Sequence, residues 1–192
     1  MKPLYFATSN NYKFTEAARV FRKFGIRLEQ IDIEIPEIQN KEFEPIIRDK
    51  VMKAYTRLSR PVLVDVSGMS LSALNGLPGG LNRQFWDVLK DKVCDIASKL
   101  GDDSAQIIVC LSICDGQHIH TISQKDPGRI ATKQAAVGTF HLDRVFIPDG
   151  CGVTLAEMSE SDRDKVSYRA KAVGKAVDML KTHDLLAKLE LI

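Results

Sequence analysis

Apolar positions along the chain change period several times, and each change marks an element. Leu4 to Ala7 is a short apolar run that predicts a strand. The polar stretch Thr8-Ser9-Asn10-Asn11 follows. Phe14, Ala17, Phe21 and Phe24 then recur at helical spacing, with Gly25 as the stop. Arg27 to Ile33 predicts a second strand that ends at Ile35-Pro36-Glu37-Ile38-Gln39. Ile46, Ile47, Lys50, Val51, Ala54, Tyr55 and Leu58 trace a second helical stripe. Val62 to Val66 is a third, strongly apolar strand, predicted to stop at Ser67-Gly68. After the loop Asn75 to Gly80, Phe85, Leu89, Val93, Ile96 and Leu100 predict one helix across Asn82 to Leu100. Ala105 to Cys114 and His118 to Ser123 form the arms of a hairpin about Asp115-Gly116. Gly128-Arg129-Ile130 extends the sheet, and Val145-Phe146-Ile147 precedes the turn Pro148-Asp149-Gly150. Val166, Ala170, Val173, Val177 and Leu180 predict a last long helix from about Asp162 to Lys181. Strands and helices alternate early and hairpin-linked strands dominate the middle, so the expected fold is α/β with a mixed sheet and helices packed on it.

A chain of 192 residues, 44% of them hydrophobic, is large enough to bury a proper core, and a single unit over 1–192 is expected. No apolar run is long enough to span a bilayer and the amino terminus carries no signal-like stretch, which together predict a cytoplasmic protein that does not contact membrane. The formal net charge of +2 is too mild for a nucleic-acid partner, although a small anion needs only a few local cations. Cys94, Cys110, Cys114 and Cys151 are expected as reduced thiols. The spacing of Cys110, Cys114, His118 and His120 permits a zinc set, but strand packing about a hairpin turn is the preferred explanation.

Three constellations carry candidate chemistry. Thr8-Ser9-Asn10-Asn11-Tyr12-Lys13 lies where the first strand gives way to a helix, and helix-start amides plus a lysine suit a phosphate. The plainer alternative is a capping side chain with a solvated lysine. Glu37 follows a proline at a strand end, and Asp65 sits in an apolar strand where a buried carboxylate needs a partner. Two carboxylates are enough for magnesium carried by a triphosphate, and surface acids are the alternative. Asp162 to Arg169 places cations at the expected start of the last helix, against its dipole. That arrangement calls either for an anionic ligand or for pairing with Asp162 and Asp164. Phe140 offers a face for a base, unless it is ordinary core.

Taken in order, these segments resemble the inosine triphosphate pyrophosphatase family, which hydrolyses noncanonical purine nucleoside triphosphates to monophosphate and pyrophosphate. The family's Thr-(Gly/Ser)-Asn-x-x-Lys is similar to Thr8 through Lys13, and its Pro-Glu-x-Gln to Pro36-Glu37-Ile38-Gln39. Its Ala-Leu-x-Gly-x-Pro-Gly loop is similar to Ala73 through Gly79. Its Phe-x-Pro-x-Gly-x-x-x-Thr-x-Ala-Glu is similar to Phe146 through Glu157. The resemblance implies an elongated two-lobed α/β fold with a cleft between the lobes, a homodimer, and Mg2+. Lys13 and Asp65 would be catalytic, and Glu37 and Asp65 would hold the metal. Thr8, Ser9, Asn10, Lys13, Arg83 and Arg163 would hold phosphates. Phe140, Asp143, Ser167, Tyr168 and Arg169 would receive the purine.

The chain departs from the family where the chemistry is densest. The family's Glu-Asp-(Ser/Thr)-Gly is Asp65-Val66-Ser67-Gly68 here, so its second acid is a valine, which neither ligates a metal nor accepts a proton. Adjacent strand residues face opposite ways, so Asp65 replaces it only through a bulge or a shift. The base-reading Ser-His-Arg has become Ser167-Tyr168-Arg169, and Leu142 and Arg144 also depart. Two functions follow as alternatives: a divergent pyrophosphatase, or a noncatalytic homologue that binds a nucleotide or a partner through the old cleft.

Overall fold

The computed structural model describes residues 2–138 and 140–190. Six strands, β1 (Leu4–Ala7), β2 (Leu28–Ile31), β3 (Val62–Leu71), β4 (Ser104–Cys114), β5 (Ile119–Ile130) and β6 (Phe146–Pro148), form one sheet in the order β2-β1-β3-β4-β5-β6. β1 is parallel to both neighbours, whereas the pairings from β3 to β6 are antiparallel. The mixed α/β architecture expected from the sequence is therefore the observed one. Its early strand–helix alternation gives the parallel half and its hairpin the antiparallel half.

Both faces of the sheet are covered. On one, α1 (Asn11–Lys23) and α6 (Tyr168–Thr182) supply Ala17, Phe21, Ala172, Val173, Ala176 and Val177 to a core that includes Phe6, Leu63 and Met69. On the other, α2 (Phe43–Leu58) supplies Ile46, Ile47, Val51 and Ala54 against Val62, Val64, Val66 and Ile108. The two-residue period of β3 thus sends Leu63 toward α1 and α6 and Val64 and Val66 toward α2. Asp65 shares the face of Leu63.

Five expectations change. β3 runs through Ser67-Gly68 to Leu71. Gly68 serves a close approach: a Cβ there would meet the Asn82 side chain at 2.8 Å. The helix expected over Asn82 to Leu100 is two, α3 (Asn82–Leu89) and α4 (Val93–Leu100), separated at Lys90, whose φ is 48°. Leu100, expected inward, is exposed. The last long helix is likewise two, α5 (Glu160–Val166) and α6. Ser167 ends the first and caps the second by accepting from the Ala170 amide at 3.0 Å, and hydroxyls that favour caps over helix interiors explain the break. Phe24 also lies outside the core, beneath the Lys181 ammonium at 5.7 Å.

The short helix α7 (Leu185–Lys188) follows α6. No helix among the described residues is long and apolar enough to cross a membrane. All four cysteines are free thiols, three of them buried.

Candidate functional site

β2-α2-β3 returns the chain to the far side of β1, so the direction of strand succession reverses between β1 and β3. In open α/β sheets ligands bind in the crevice beyond the carboxyl ends of strands at such a point. A cleft of about 400 Å³ lies there. Thr8, Ser9, Asn10 and Lys13 line it from the β1–α1 turn, Pro36 and Glu37 from the loop after β2, and Lys50 from α2. Val66 and Ser67 line it from β3, Arg83 and Trp86 from α3, and Phe140 and His141 from beyond β5.

The β1–α1 turn holds itself rigid. Asn10 Oδ1 accepts from the Lys13 amide at 3.0 Å and Thr8 Oγ1 accepts from the Asn10 amide at 3.2 Å. The expected capping side chain is present, but Lys13 is not the solvated lysine of that alternative. The cap fixes the helix start, whose first amides have no partner within the helix.

Lys13 leads from this turn to the buried side of β3. Its ammonium lies 2.5 Å from Asp65 Oδ1, and Asp65 Oδ2 is paired with Arg169. Arg169 is fully buried, and its Nε donates to Glu16 Oε2 at 2.8 Å while the Ser167 hydroxyl donates to Glu16 Oε1 at 2.9 Å. Burial alone would raise the Asp65 pKa, but the Lys13, Arg169 and Lys50 charges outweigh it and hold the carboxyl at about 2. Burial lowers the Lys13 pKa, with Asp65 opposing. Glu16 is absent from the sequence-derived set; its signal was a carboxylate one helical turn beyond Lys13, on the inward face of α1.

A second buried carboxylate sits nearby. Asp143 accepts from the Tyr168 hydroxyl at 3.1 Å and the Tyr12 hydroxyl at 2.9 Å, and Arg163 lies 3.1 Å from its Oδ2. Burial pushes its pKa up to about 7. The Tyr168 hydrogen bond and the Arg169 charge offset that burial only in part, and the Glu16 charge adds to it. Burial also drives the Tyr168 hydroxyl well above its ordinary range.

These networks redistribute the expected site. Thr8, Ser9, Asn10, Lys13, Glu37, Arg83 and Phe140 line the cleft; Asp65, Asp143, Arg163, Ser167, Tyr168 and Arg169 do not. Asp65 does not fit the metal position, because both its oxygens are committed to cations on the α1 and α6 side while Val66 occupies the cleft side. Arg163 lines a separate hollow with Tyr12, Arg19 and Met158. Tyr12 stacks on Phe140 at 5.3 Å, so this aromatic pair stands between hollow and cleft. Ser167, Tyr168 and Arg169 are spent on Glu16, Asp143 and Asp65. Of Arg169, Nη2 alone remains without a hydrogen-bond partner.

The cleft also contains a cation that sequence reasoning placed within an apolar stripe. Lys50 Nζ donates to Glu37 Oε1 at 2.7 Å and to the Asp65 carbonyl at 2.9 Å. A lysine between Ile47 and Val51 on the sheet-facing side of a helix was the signal, since such a group is seldom buried without a polar destination. Trp86 and His141, stacked at 5.9 Å, add an aromatic wall.

Residues 4–179 match the model of the Ham1 family. The chain belongs to the Ham1 family. It is 33% identical over 175 residues to the dITP/XTP pyrophosphatase of Methanosarcina mazei, covering 90% of this chain and 94% of that one. It is 29% identical over 180 residues to the dITP/XTP pyrophosphatase of Methanopyrus kandleri, covering 93% and 96%. Among solved structures, a HAM1 protein from Coxiella burnetii superposes with a TM-score of 0.79 at 20% identity, over 95% of this chain and all of that one. The fold expected from the resemblance is the Ham1 fold.

Proposed function

We propose that this Ham1 chain hydrolyses noncanonical purine nucleoside triphosphates to monophosphate and pyrophosphate, with reduced power relative to family members that keep the second acid. The observation that carries the reading is the arrival of Lys13, Lys50 and Arg83 from three different helices at one cleft lined by a helix start. Cations around preorganised amides match a triphosphate tail, whose transfer chemistry is mainly positioning and charge stabilisation. The names of the relatives supply the base class.

Glu37 suits the magnesium that accompanies a triphosphate, because Lys50 engages one of its oxygens and a carboxylate has a second. Magnesium, when bound, neutralises phosphate charge as a Lewis acid. The chain's own residues orient the tail: Lys13 and Lys50 flank it, and Arg83 closes from α3. Phe140, Trp86 and His141 offer faces to the purine. Water is left without a side-chain base at position 66, which lowers turnover and leaves binding intact.

A second reading, binding without cleavage, is favoured by Val66, a buried apolar side chain on the cleft wall where the family motif has an acid. Pyrophosphate release from XTP, dITP and ATP with magnesium separates the two. Turnover by the native chain that disappears in Glu37→Ala supports the enzyme, and triphosphate binding without turnover supports the binder. Family membership also supports magnesium as the ion, one unit over 1–192, a cytoplasmic setting and a homodimer. Light scattering that returned a monomer would remove the last of these.

A further inference from the structure

The β4–β5 hairpin turn lies at the other end of the sheet from the cleft: Cys114 pairs with Val62, where β3 begins, four residues before Val66 of the cleft wall. In this turn Asp115 Oδ1 accepts from the amides of Gln117 at 2.8 Å and His118 at 2.6 Å, which fixes the carboxylate. Its other oxygen, Oδ2, stands 3.7 Å from His118 Nδ1 and 3.6 Å from His120 Nε2. These separations are too long for hydrogen bonds. They are close to the roughly 3.4 Å between ligand atoms around a tetrahedral ion with bonds of ~2.0–2.1 Å.

The three donor atoms all lie within 4.8 Å of one another. His120 Nε2 is buried and has no hydrogen-bond partner. The ring of His183, which closes α6, lies 4.9 Å from that of His120. The cysteines that share the local spacing take no part: Cys110 donates to Ser123 at 3.5 Å and Cys114 packs in the α2-side core.

We propose that Asp115, His118 and His120 form a site for one divalent transition-metal ion of the zinc type, separate from the triphosphate cleft, with water or His183 completing the shell. Two imidazoles and a carboxylate suit Zn2+, Co2+ or Ni2+; Mg2+ prefers an all-oxygen shell. Such an ion pins the two arms of the hairpin at its tip and, through His183, reaches the end of α6.

The test is equilibrium dialysis of the metal-free chain against Zn2+, with bound metal counted by mass spectrometry and the melting temperature followed in parallel. One ion per chain and a raised melting temperature are expected. His118→Ala and His120→Gln should each weaken binding at least ~10-fold, the loss that even supporting partners of a ligand produce. His118 is largely exposed, so its variant keeps the fold even if His120→Gln does not. A native chain that takes up no zinc, or a doubly substituted chain that binds it with native affinity, overturns the proposal.

Discussion

At residues 65 and 66 the two faces of β3 treat charge in opposite ways. Toward α1 and α6, Asp65 meets Lys13 and Arg169, Arg169 meets Glu16, and Glu16 meets Ser167, so each carboxylate is answered within the protein. Toward α2 and the cleft, Lys50 reaches only one oxygen of the half-exposed Glu37 and a backbone carbonyl, Arg83 is largely exposed, and Val66 contributes no charge. The first face is architecture, because low dielectric makes removal of either partner costly. The second face carries cations held only by pairs with solvent-exposed acids, Lys50 with Glu37 and Arg83 with Glu34, and such pairs yield readily to a polyphosphate.

The largest effect separating the faces is in stability. Asp65→Asn leaves Arg169 and Lys13 facing a neutral amide and should cost about 3–5 kcal/mol in urea denaturation, whereas Glu37→Ala should be close to neutral. An Asp65→Asn chain of native stability would break the contrast. Next in size, Val66→Asp restores an acid on the cleft side and should raise the rate of pyrophosphate release by about 10²-fold, the lower range for a general base. No gain would place the deficit elsewhere.

A smaller effect appears in pH dependence, where the two buried aspartates differ in sign. Asp65, lowered from 3.8 to about 2, contributes stability above pH 4 that is lost as pH falls toward 2. Asp143, raised from 3.8 to about 7, contributes stability below pH 4 that is lost as pH rises toward 7. The wild-type chain should therefore lose stability across pH 4 to 7 by at most about 1.4 kcal/mol per pH unit, and Asp143→Asn should flatten that slope. Thermal midpoints measured across this interval check it. The smallest effect is on selectivity: Tyr168 spends its hydroxyl on Asp143 outside the cleft, so Tyr168→Phe should change the ratio of kcat/KM for XTP and ATP only slightly.

The sheet was legible in the chain because its patterning is strong, as in the apolar residues that flank Asp65 in β3 and the apolar run Ile107 to Leu111 in β4. Two helix breaks were not. Lys90 and Ser167 interrupt stripes that continue on both sides, and a left-handed backbone or a serine cap leaves little trace in hydrophobic period. The cleft-lining turn was visible in Thr8 through Lys13, and Glu37 in its proline-flanked loop. Asp65 was identified as a buried acid in need of a partner, but its partner was not, since Arg169 lies 104 residues away and only packing brings it there. Arg163 was grouped with the phosphate cations because the family resemblance has a lysine at that position; the Tyr12–Phe140 stack places it on the other side of the cleft wall.

The most direct test is calorimetric titration of inosine triphosphate with magnesium into the native chain, Lys50→Ala and Arg163→Ala. One site per chain is predicted, weakened about tenfold or more by Lys50→Ala, the worth of a charge-assisted contact, and changed less than about twofold by Arg163→Ala. Equal losses in the two variants, or no binding by the native chain, would contradict the account.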